Sequence, residues 1–189
     1  MSRIDQIQHG WSLFLDRDGV INHESETDYV RNWDSFEFID GVIESFPIFS
    51  QIFNRIFIVT NQKGVGKGLM SEEDLLNINK NLVTTIENSG GHIDKIFYCT
   101  SINDDDPCRK PNSGMALQAK DEFPEIDLQK SLMVGNTMSD MQFGKSTGML
   151  TVFIPSAKPS PLLPHPSIDA VFQDLFTLAK ALQKSVVNK

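Results

Sequence analysis

The sequence predicts an α/β fold in which a central, mostly parallel sheet is covered by helices on both faces. Short apolar runs typical of buried strands alternate with longer segments whose apolar residues recur at helical spacing. This alternation requires crossover connections, whose helices pack on the two faces of a parallel sheet. Polar side chains also follow directly after several of the apolar runs, at the strand ends where such sheets bind ligands.

The predicted strands and helices alternate along most of the chain. Strand signals lie near residues 11–15, 55–60, 95–99, 131–135 and 149–154, with a weaker one at 168–172. Helical patterns lie near residues 41–53, 71–89, 113–122, 138–146 and 173–185.

Two helices carry local signals beyond their periodicity. Ser71 can cap the helix that follows it, and Asp74 stands three residues later, where a capping box has its acidic residue. The apolar positions of this helix recur at helical spacing and should face the core: Leu75, Ile78, Leu82, Val83 and Ile86. Pro47 lies within the pattern at 41–53 and lacks a backbone donor, so we expect a kink or a split there.

Length and composition indicate one ordinary globular domain. The chain has 189 residues, of which 40% are hydrophobic and 22% charged, which is enough for one substantial core. We expect a single domain over residues 1–189, with a lead at 1–10 and an extended proline-rich surface loop at 155–166. The lead carries charge and lacks the apolar centre of a secretory signal.

Charge, hydropathy and cysteine content argue against several classes of protein. The net charge is −8, whereas sequence-independent binding to nucleic acid needs a basic surface, so we expect no nucleic-acid partner. No segment approaches the roughly 20 apolar residues of a membrane span, so we expect no membrane partner either. Two cysteines do not make a disulfide framework. We expect a cytoplasmic protein, and the sequence leaves its oligomeric state open.

The first predicted strand ends in two carboxylates, Asp16 and Asp18, followed by Gly19. A buried strand has no structural reason to end in paired acids, and two like charges this close repel each other. A hard divalent cation such as Mg²⁺ can gather them, because it prefers carboxylate oxygens and keeps positions open for a phosphate. An acidic surface turn is the alternative explanation of this motif alone.

Three further stretches supply polar groups at a strand end or in a loop before a helix. They provide a hydroxyl, three amides, two cations and another acid: Thr60, Asn61, Gln62, Arg109, Lys110, Asn136 and Asp140. Together with the paired acids, this set is typical of phosphoryl transfer, in which catalysis is mostly positioning and charge neutralisation around the phosphate.

With these motifs the chain resembles the haloacid dehalogenase (HAD) superfamily of aspartate-nucleophile phosphatases over roughly residues 11–154. Within it, the chain is similar to the branch of D-glycero-D-manno-heptose 1,7-bisphosphate phosphatases and histidinol phosphatases. The residues that carry this closer match are 14–19, 29–30, 36–42, 59–62 and 108–111, with Gly114 and Met115. The resemblance implies a Rossmann-like three-layer α/β/α domain, and no insertion is long enough for a large cap.

The resemblance also implies catalytic roles. Asp16 is the expected nucleophile, since an aspartate carboxylate can attack phosphorus and form an aspartyl-phosphate. Asp18 is the expected general acid and base, with its backbone carbonyl rather than its side chain as a magnesium ligand. Thr60 is expected to bind the phosphoryl oxygens, and Lys110 to neutralise charge on the phosphate and on the nucleophile.

The remaining site residues are expected to bind substrate or metal. Asn61, Gln62, Lys63 and Arg109 are the predicted substrate-binding residues, and the planar fork of the arginine suits a phosphate. The predicted metal ligands are two residues of the first motif and two residues after the fourth strand: Asp16, Asp18, Asn136 and Asp140. The segment 63–68 resembles a phosphate-binding P-loop but lacks its required residues, so we interpret it as a mobile loop beside the site.

Two positions depart from the pattern of the relatives. Asn136 stands where the superfamily has a magnesium-binding aspartate, and the missing charge should weaken magnesium binding unless Asp140 compensates. Relatives in this branch often hold a structural zinc with a Cys-x-His pair and a Cys-x-Cys pair. Here those four positions are Cys99, Ser101, Asp106 and Cys108. A closed zinc site needs four ligands, so we expect no structural zinc and a solvated acidic loop at 103–106.

These observations favour a magnesium-dependent phosphatase acting on a small phosphorylated metabolite. A heptose 1,7-bisphosphate is the leading substrate, and histidinol phosphate is the alternative within the same class. A second hypothesis, based on Asn136, is a HAD-fold protein that binds a phosphorylated ligand without efficient turnover. A phosphatase of nucleic-acid 3′ ends shares the catalytic motifs, but the acidic pI of about 4.9 argues against it.

Overall fold

The computed structural model describes residues 3–24, 28–157 and 159–187. Its described residues form a six-stranded sheet in which every neighbouring pair is parallel. The strands are β1 (Trp11–Leu15), β2 (Phe53–Asn61), β3 (Lys95–Cys99), β4 (Ser131–Gly135), β5 (Leu150–Phe153) and β6 (Ala170–Val171). Their spatial order is β3-β2-β1-β4-β5-β6.

Helices connect the strands as predicted. They are α1 (Val42–Ile52), α2 (Lys63–Gly66), α3 (Glu72–Asn88), α4 (Gly114–Glu122), α5 (Met138–Ser146) and α6 (Leu175–Val187). Short 3₁₀ helices span Arg3–Gln6, Trp33–Ser35 and Leu128–Lys130. Within the described ranges, no helix is long and apolar enough to cross a membrane.

Two hydrophobic cores lie on opposite faces of the sheet, because successive strand residues point to opposite sides. On β1, Leu13 and Leu15 belong to the core under α1, α3 and α6, whereas Phe14 belongs to the core under α4 and α5. Leu13, Phe14 and Leu15 have no solvent exposure. The predicted three-layer α/β/α fold is confirmed.

The order of the strands creates the crevice in which the predicted site lies. The chain proceeds from β1 outward to β2 and β3, then returns to the other side of β1 for β4, β5 and β6. Ligands of open α/β sheets bind at such a reversal, outside the carboxyl ends of the strands. Asp16, Thr60 and Asn136 lie at the ends of β1, β2 and β4, so the topology brings together three motifs that are far apart in sequence.

Some local predictions need correction. The helix containing Pro47 is continuous from Val42 to Ile52, because buried side chains on both sides of the proline, including Phe46 and Phe49, hold it against the core. The segment expected to be a mobile loop begins with a helical turn, α2.

The capping box predicted for α3 is confirmed. Asp74 N donates to Ser71 Oγ, and Ser71 N donates to Asp74 Oδ2, each at 3.0 Å. In the predicted lead, Ile7 is buried in the core, whereas residues 1 and 2 lie outside the described residues. In the predicted loop at 155–166, the described residues form no helix or strand, and Lys158 lies outside the description.

Candidate active site

A cavity of about 270 Å³ lies at the carboxyl ends of β1, β2 and β4. Tyr29, Thr137 and Ser139 line it together with eight of the predicted site residues: Asp16, Asp18, Thr60, Asn61, Lys63, Arg109, Lys110 and Asp140. Gln62 and Asn136, the other two predicted residues, are buried and do not line it. The tertiary structure therefore gathers four separate sequence motifs into one cavity.

Lys110 is the centre of a buried ionic cluster at the floor of the site. Its Nζ lies 2.8 Å from Asp16 Oδ1 and 2.6 Å from Asp140 Oδ1. The same ammonium donates to the backbone oxygen of Val59 at 2.7 Å. Three donor hydrogens thus meet three acceptors, which holds the positive charge directly beside the carboxylate of Asp16.

Burial and neighbouring charges change the protonation of this cluster. Burial raises the pKa of Asp16 to about 7, and the carboxylates of Asp140 and Asp18 add to the rise, while Lys110 opposes it. Burial alone would lower the pKa of Lys110, but the charges of Asp140 and Asp16 outweigh it and raise that pKa above its ordinary value. Lys110 is therefore protonated throughout the physiological range.

Asp18 lies in a different environment, although it is two residues from Asp16. Burial acts to raise its pKa, but the Arg17 guanidinium and hydrogen bonds from Asn22, Arg17 and Gln62 hold that pKa below its ordinary value. Arg17 Nη2 lies 3.0 Å and 3.1 Å from the two carboxylate oxygens. Gln62 Nε2 donates to Asp18 Oδ2 at 2.8 Å. The two acids of the first motif thus have pKa values displaced in opposite directions, a pattern typical of catalytic pairs.

The amides after β2 bind other protein groups in this structure. Asn61 Nδ2 donates to the backbone oxygen of Lys110, and Lys110 N donates to Asn61 Oδ1, each at 3.0 Å. Gln62 Nε2 also donates to Thr60 Oγ1 at 2.8 Å. Asn61 therefore joins the end of β2 to the loop that carries the lysine, and contact of either amide with substrate stays a prediction.

Two cations stand at the rim of the cavity and share one partner. Lys63 Nζ lies 3.1 Å from Asp104 Oδ1, and Arg109 Nε lies 2.9 Å from the same oxygen. The Asp104 side chain is 81% exposed, so it is a solvated partner for both. Part of the acidic loop thus pairs with the two predicted substrate-binding cations.

Asp140 is engaged through both carboxylate oxygens. Its Oδ1 pairs with Lys110, while its Oδ2 accepts hydrogen bonds from Thr137 N at 2.9 Å and Thr137 Oγ1 at 2.6 Å. The second set forms a capping box at the start of α5. This acid ties the helix start to the lysine, and its role as a metal ligand stays a prediction.

Asn136 is buried and asymmetrically bonded. Its Nδ2 donates to Glu24 Oε1 and to Ser156 Oγ, each at 3.0 Å. Its Oδ1 is buried without a hydrogen-bond partner, and among the described side chains only Asn22 Oδ1 shares this property. A buried acceptor without a protein partner is costly, and a water molecule or an ion can satisfy it.

The donor set at the strand ends fits a magnesium ion. The buried Oδ1 of Asn136 and the carboxylate oxygens of Asp16 are hard oxygen ligands, which Mg²⁺ prefers. The glycine after Asp18, Gly19, has φ +86°, and a Cβ placed on it would lie 2.0 Å from Asn136 Nδ2. The backbone of the first motif and the asparagine amide therefore lie in direct contact.

The two cysteines are paired, a bond that the sequence analysis did not predict. Cys99 at the end of β3 forms a disulfide with Cys108, which stands two residues before Lys110. The carboxylate of Asp106 has an oxygen within 4.8 Å of both sulfurs. The spacing of nine residues alone does not show this pairing, because it depends on where the loop after β3 turns back. The prediction about zinc stays a prediction.

Sequence reasoning missed residues that support the site rather than form it. Arg17 is buried and pairs with Asp18, and its place in the first motif, directly before that acid, could have indicated its partner. Asn22, which donates to Asp18 Oδ1 at 3.0 Å, lies in the same motif. Glu24 and Ser156 reach Asn136 from 112 and 20 residues away, and no sequence pattern marks them.

The family model and the relatives that match this chain are all phosphatases, as the residues of the cavity suggest. The model of the family described as polynucleotide kinase 3 phosphatase matches residues 13–151. A D-glycero-alpha-D-manno-heptose-1,7-bisphosphate 7-phosphatase of Campylobacter jejuni is 38% identical over 76% of this chain and 81% of its own length. The enzyme of the same name from Mycobacterium tuberculosis is 34% identical over 92% of both chains. A D-glycero-beta-D-manno-heptose-1,7-bisphosphate 7-phosphatase of Yersinia pestis is 33% identical over 91% of this chain and 95% of its own.

The fold is likewise shared with a solved phosphatase. The structure of the D,D-heptose 1,7-bisphosphate phosphatase of B. bronchiseptica, complexed with magnesium and phosphate, superposes with a TM-score of 0.81. It is 25% identical in sequence and covers 93% of this chain and 99% of its own.

Proposed function

The chain belongs to the polynucleotide kinase 3 phosphatase family and is a phosphoric monoester hydrolase of the HAD superfamily, and we propose that its substrate is a heptose 1,7-bisphosphate. This proposal rests on the agreement between the activity named for the relatives and the residues found in the cavity. Relatives at 33–38% identity carry the name heptose 1,7-bisphosphate 7-phosphatase. The cavity contains the acids, hydroxyl and lysine that phosphoryl transfer needs.

In the proposed first step, a carboxylate oxygen of Asp16 attacks phosphorus and forms an aspartyl-phosphate while the bond from phosphorus to the sugar oxygen breaks. Lys110 stands 2.8 Å from Asp16 Oδ1 and provides a fixed positive charge for the phosphoryl oxygens. The hydroxyl of Thr60 lines the same cavity and can donate to a phosphoryl oxygen. Asn61 positions the lysine through the hydrogen bonds to its backbone.

Asp18 is the proposed proton carrier. Its pairing with Arg17 keeps it ionised at neutral pH, which suits the second step, in which it takes a proton from the water that attacks the aspartyl-phosphate. The first step requires Asp18 to give a proton to the departing sugar oxygen. The negative charge of an arriving phosphate raises the pKa of a nearby carboxyl group and so favours the protonated form.

We also propose dependence on magnesium. Asp16, the backbone carbonyl of Asp18 and Asn136 would hold the ion, in accordance with the buried oxygen of Asn136 that lacks a partner. When bound, it would neutralise phosphate charge and orient the reacting phosphoryl group.

The rim cations favour a substrate that carries a second phosphate. Lys63 and Arg109 share the exposed carboxylate of Asp104. A phosphate carries more charge than one carboxylate and can accept from both cations, so it can displace Asp104 at little cost. This arrangement supports a small bisphosphate as substrate rather than nucleic acid, and the net charge of −8 is in accordance with that. We also propose a cytoplasmic location.

The test is phosphate release from a substrate panel across a magnesium titration. The panel contains both anomers of D-glycero-D-manno-heptose 1,7-bisphosphate, other sugar bisphosphates, histidinol phosphate and a 3′-phosphorylated oligonucleotide, with Asp16→Asn as the blank. We expect the heptose bisphosphates to give the highest kcat/KM, and release to vanish in the blank. A preference for histidinol phosphate or the oligonucleotide would replace the proposed substrate. Tight binding without release would favour the binding-only hypothesis based on Asn136.

A further inference from the structure

Glu24, Asn136 and Ser156 form a closed hydrogen-bond triangle behind the first motif. Asn136 Nδ2 donates to Glu24 Oε1 and to Ser156 Oγ at 3.0 Å each, and Ser156 Oγ donates to the same Glu24 oxygen at 2.6 Å. Both amide hydrogens of Asn136 are therefore used. A flipped amide would place Oδ1 against the carboxylate, so the triangle determines which way the amide points.

This orientation leaves Oδ1 as the one polar atom of the amide without a partner, although the residue is only 1% exposed. Folded proteins rarely leave a buried acceptor unpaired, and a bound water or ion can supply the missing partner. Because Oδ1 is a hard oxygen acceptor and Asn136 follows the strand next to the one that Asp16 follows, a cation is the ligand that suits it.

Gly19 places the triangle directly against the backbone of the first motif. A Cβ on this residue would lie 2.0 Å from Asn136 Nδ2 and 2.9 Å from Glu24 Oε1. The absence of a side chain at Gly19 is thus what allows the asparagine and the glutamate to pack against the segment that follows Asp18.

We propose that Glu24 is a positioning residue for the cation site and supplies the negative charge that the neutral side chain of Asn136 lacks. Its carboxylate holds the amide with Oδ1 available and polarises it through the Nδ2 hydrogen bond, which makes Oδ1 a stronger ligand. This inference rests on the magnesium dependence proposed above, but it does not depend on which phosphorylated substrate is used.

Asn136→Asp alone should not strengthen cation binding. Because Glu24 Oε1 lies 3.0 Å from the position of Nδ2, the substitution places two carboxylates in contact. The exchanged pair, Glu24→Gln with Asn136→Asp, keeps the same net charge. In it, the glutamine amide can donate to the new carboxylate. The exchange should therefore restore the cation affinity that either single substitution lowers.

The test is direct binding of Mg²⁺, and of Mn²⁺ as a spectroscopic probe, by calorimetry and electron paramagnetic resonance without substrate. We expect Glu24→Gln to weaken binding by about 10-fold or more, as is typical of residues that orient a ligand. Ser156→Ala, which keeps the charge, should weaken it less, and the exchanged pair should return to within about threefold of the parent. Glu37→Gln is the matched control, because this exposed glutamate pairs through its backbone with His23, next to Glu24.

Three results would overturn the proposal. These are parent-like binding in Glu24→Gln, tighter binding in Asn136→Asp alone, or no measurable cation binding by the parent protein. Far-UV circular dichroism confirms that each variant is folded, and Ser156→Ala tests the same triangle if Glu24→Gln does not fold. Because the measurement needs no substrate, failure of the proposed substrate assignment leaves this result interpretable.

Discussion

The two sides of the site differ in how completely their polar atoms are satisfied. On the lysine side, three acceptors surround Lys110 Nζ, and both oxygens of Asp140 are engaged. On the asparagine side, Glu24 and Ser156 occupy the amide nitrogen of Asn136, but the buried oxygen has no partner. On the lysine side the protein itself satisfies these polar atoms, whereas on the asparagine side one buried oxygen lacks a protein partner. The fixed positive charge of Lys110 and the proposed cation site at Asn136 therefore belong to different loops at the carboxyl ends of the strands.

The largest expected effect comes from removing the proposed nucleophile, Asp16. Asp16→Asn preserves shape but cannot form the aspartyl-phosphate, so phosphate release should fall by at least about 10⁴-fold. The measurement is single-turnover phosphate release at saturating magnesium, with circular dichroism to confirm folding. Residual release within tenfold of the parent would mean that another group attacks phosphorus.

A substitution on the lysine side should strongly reduce stability. Lys110→Met removes the ammonium and leaves Asp16 and Asp140 buried together without a counter-charge, which should lower the free energy of unfolding by about 3–5 kcal/mol. Urea unfolding measures this change. The matched control is Lys63→Met, which breaks only the pair with the exposed Asp104 and should cost less than about 1 kcal/mol. Equal losses of unfolding free energy in the two variants would show that the buried ion pairs of Lys110 stabilise the protein no more than the exposed pair of Lys63.

The disulfide belongs to the lysine side, because Cys108 stands two residues before Lys110 and its bond to Cys99 restrains that loop. Removing it with Cys99→Ser and Cys108→Ser should lower the free energy of unfolding by about 2–3 kcal/mol, the value typical of a loop of this length. Substrate KM should rise, while magnesium affinity measured without substrate should stay unchanged. A parallel loss of magnesium affinity would show that the two sides are mechanically coupled.

The smallest effect, when counted per pH unit, is on the stability of the metal-free protein. Since the pKa of Asp16 is raised to about 7, the folded state retains a proton that the unfolded chain releases near its ordinary value of 3.8. The contribution of Asp16 to stability is therefore most favourable below pH 4 and declines as the pH rises toward 7. Between these values, the parent should lose up to about 1.4 kcal/mol per pH unit relative to Asp16→Asn.

This pH effect is measured by urea unfolding in the presence of a chelator at several pH values between 4 and 8. Comparing slopes rather than absolute stabilities removes the effect of the substitution itself. Identical slopes for the two proteins would show that Asp16 is ionised throughout this range and that Lys110 outweighs burial.

Much of the fold and of the site residues could be predicted from local patterns. The apolar runs predicted β1, β3 and β4 with their observed bounds, because a buried parallel strand must be apolar on both faces. Asp16 and Asp18 were conspicuous because carboxylates at the end of such a strand have no packing role. The capping box of Ser71 and Asp74 was equally readable, since both partners lie within one helical turn.

The contacts that adjust the site were beyond the sequence. Asn61 is a predicted substrate-binding residue, yet its side chain makes two hydrogen bonds to the backbone of Lys110, which is 49 residues away. Gln62 likewise joins Thr60 to Asp18 and does not line the cavity. Polar side chains near a cavity can face a ligand or each other, and residue type does not distinguish the two.

The α/β architecture, the polar strand ends and the set of acids, hydroxyl and lysine could all be predicted from the chain before it was folded. Three features depend on how the folded chain packs: the contact of Glu24 with Asn136, the bond between Cys99 and Cys108, and the continuity of α1 through Pro47. The difference follows from how far apart the interacting residues are along the chain. Periodicity, capping and strand polarity act between residues a few positions apart, whereas these contacts depend on how long crossovers return the chain to the sheet.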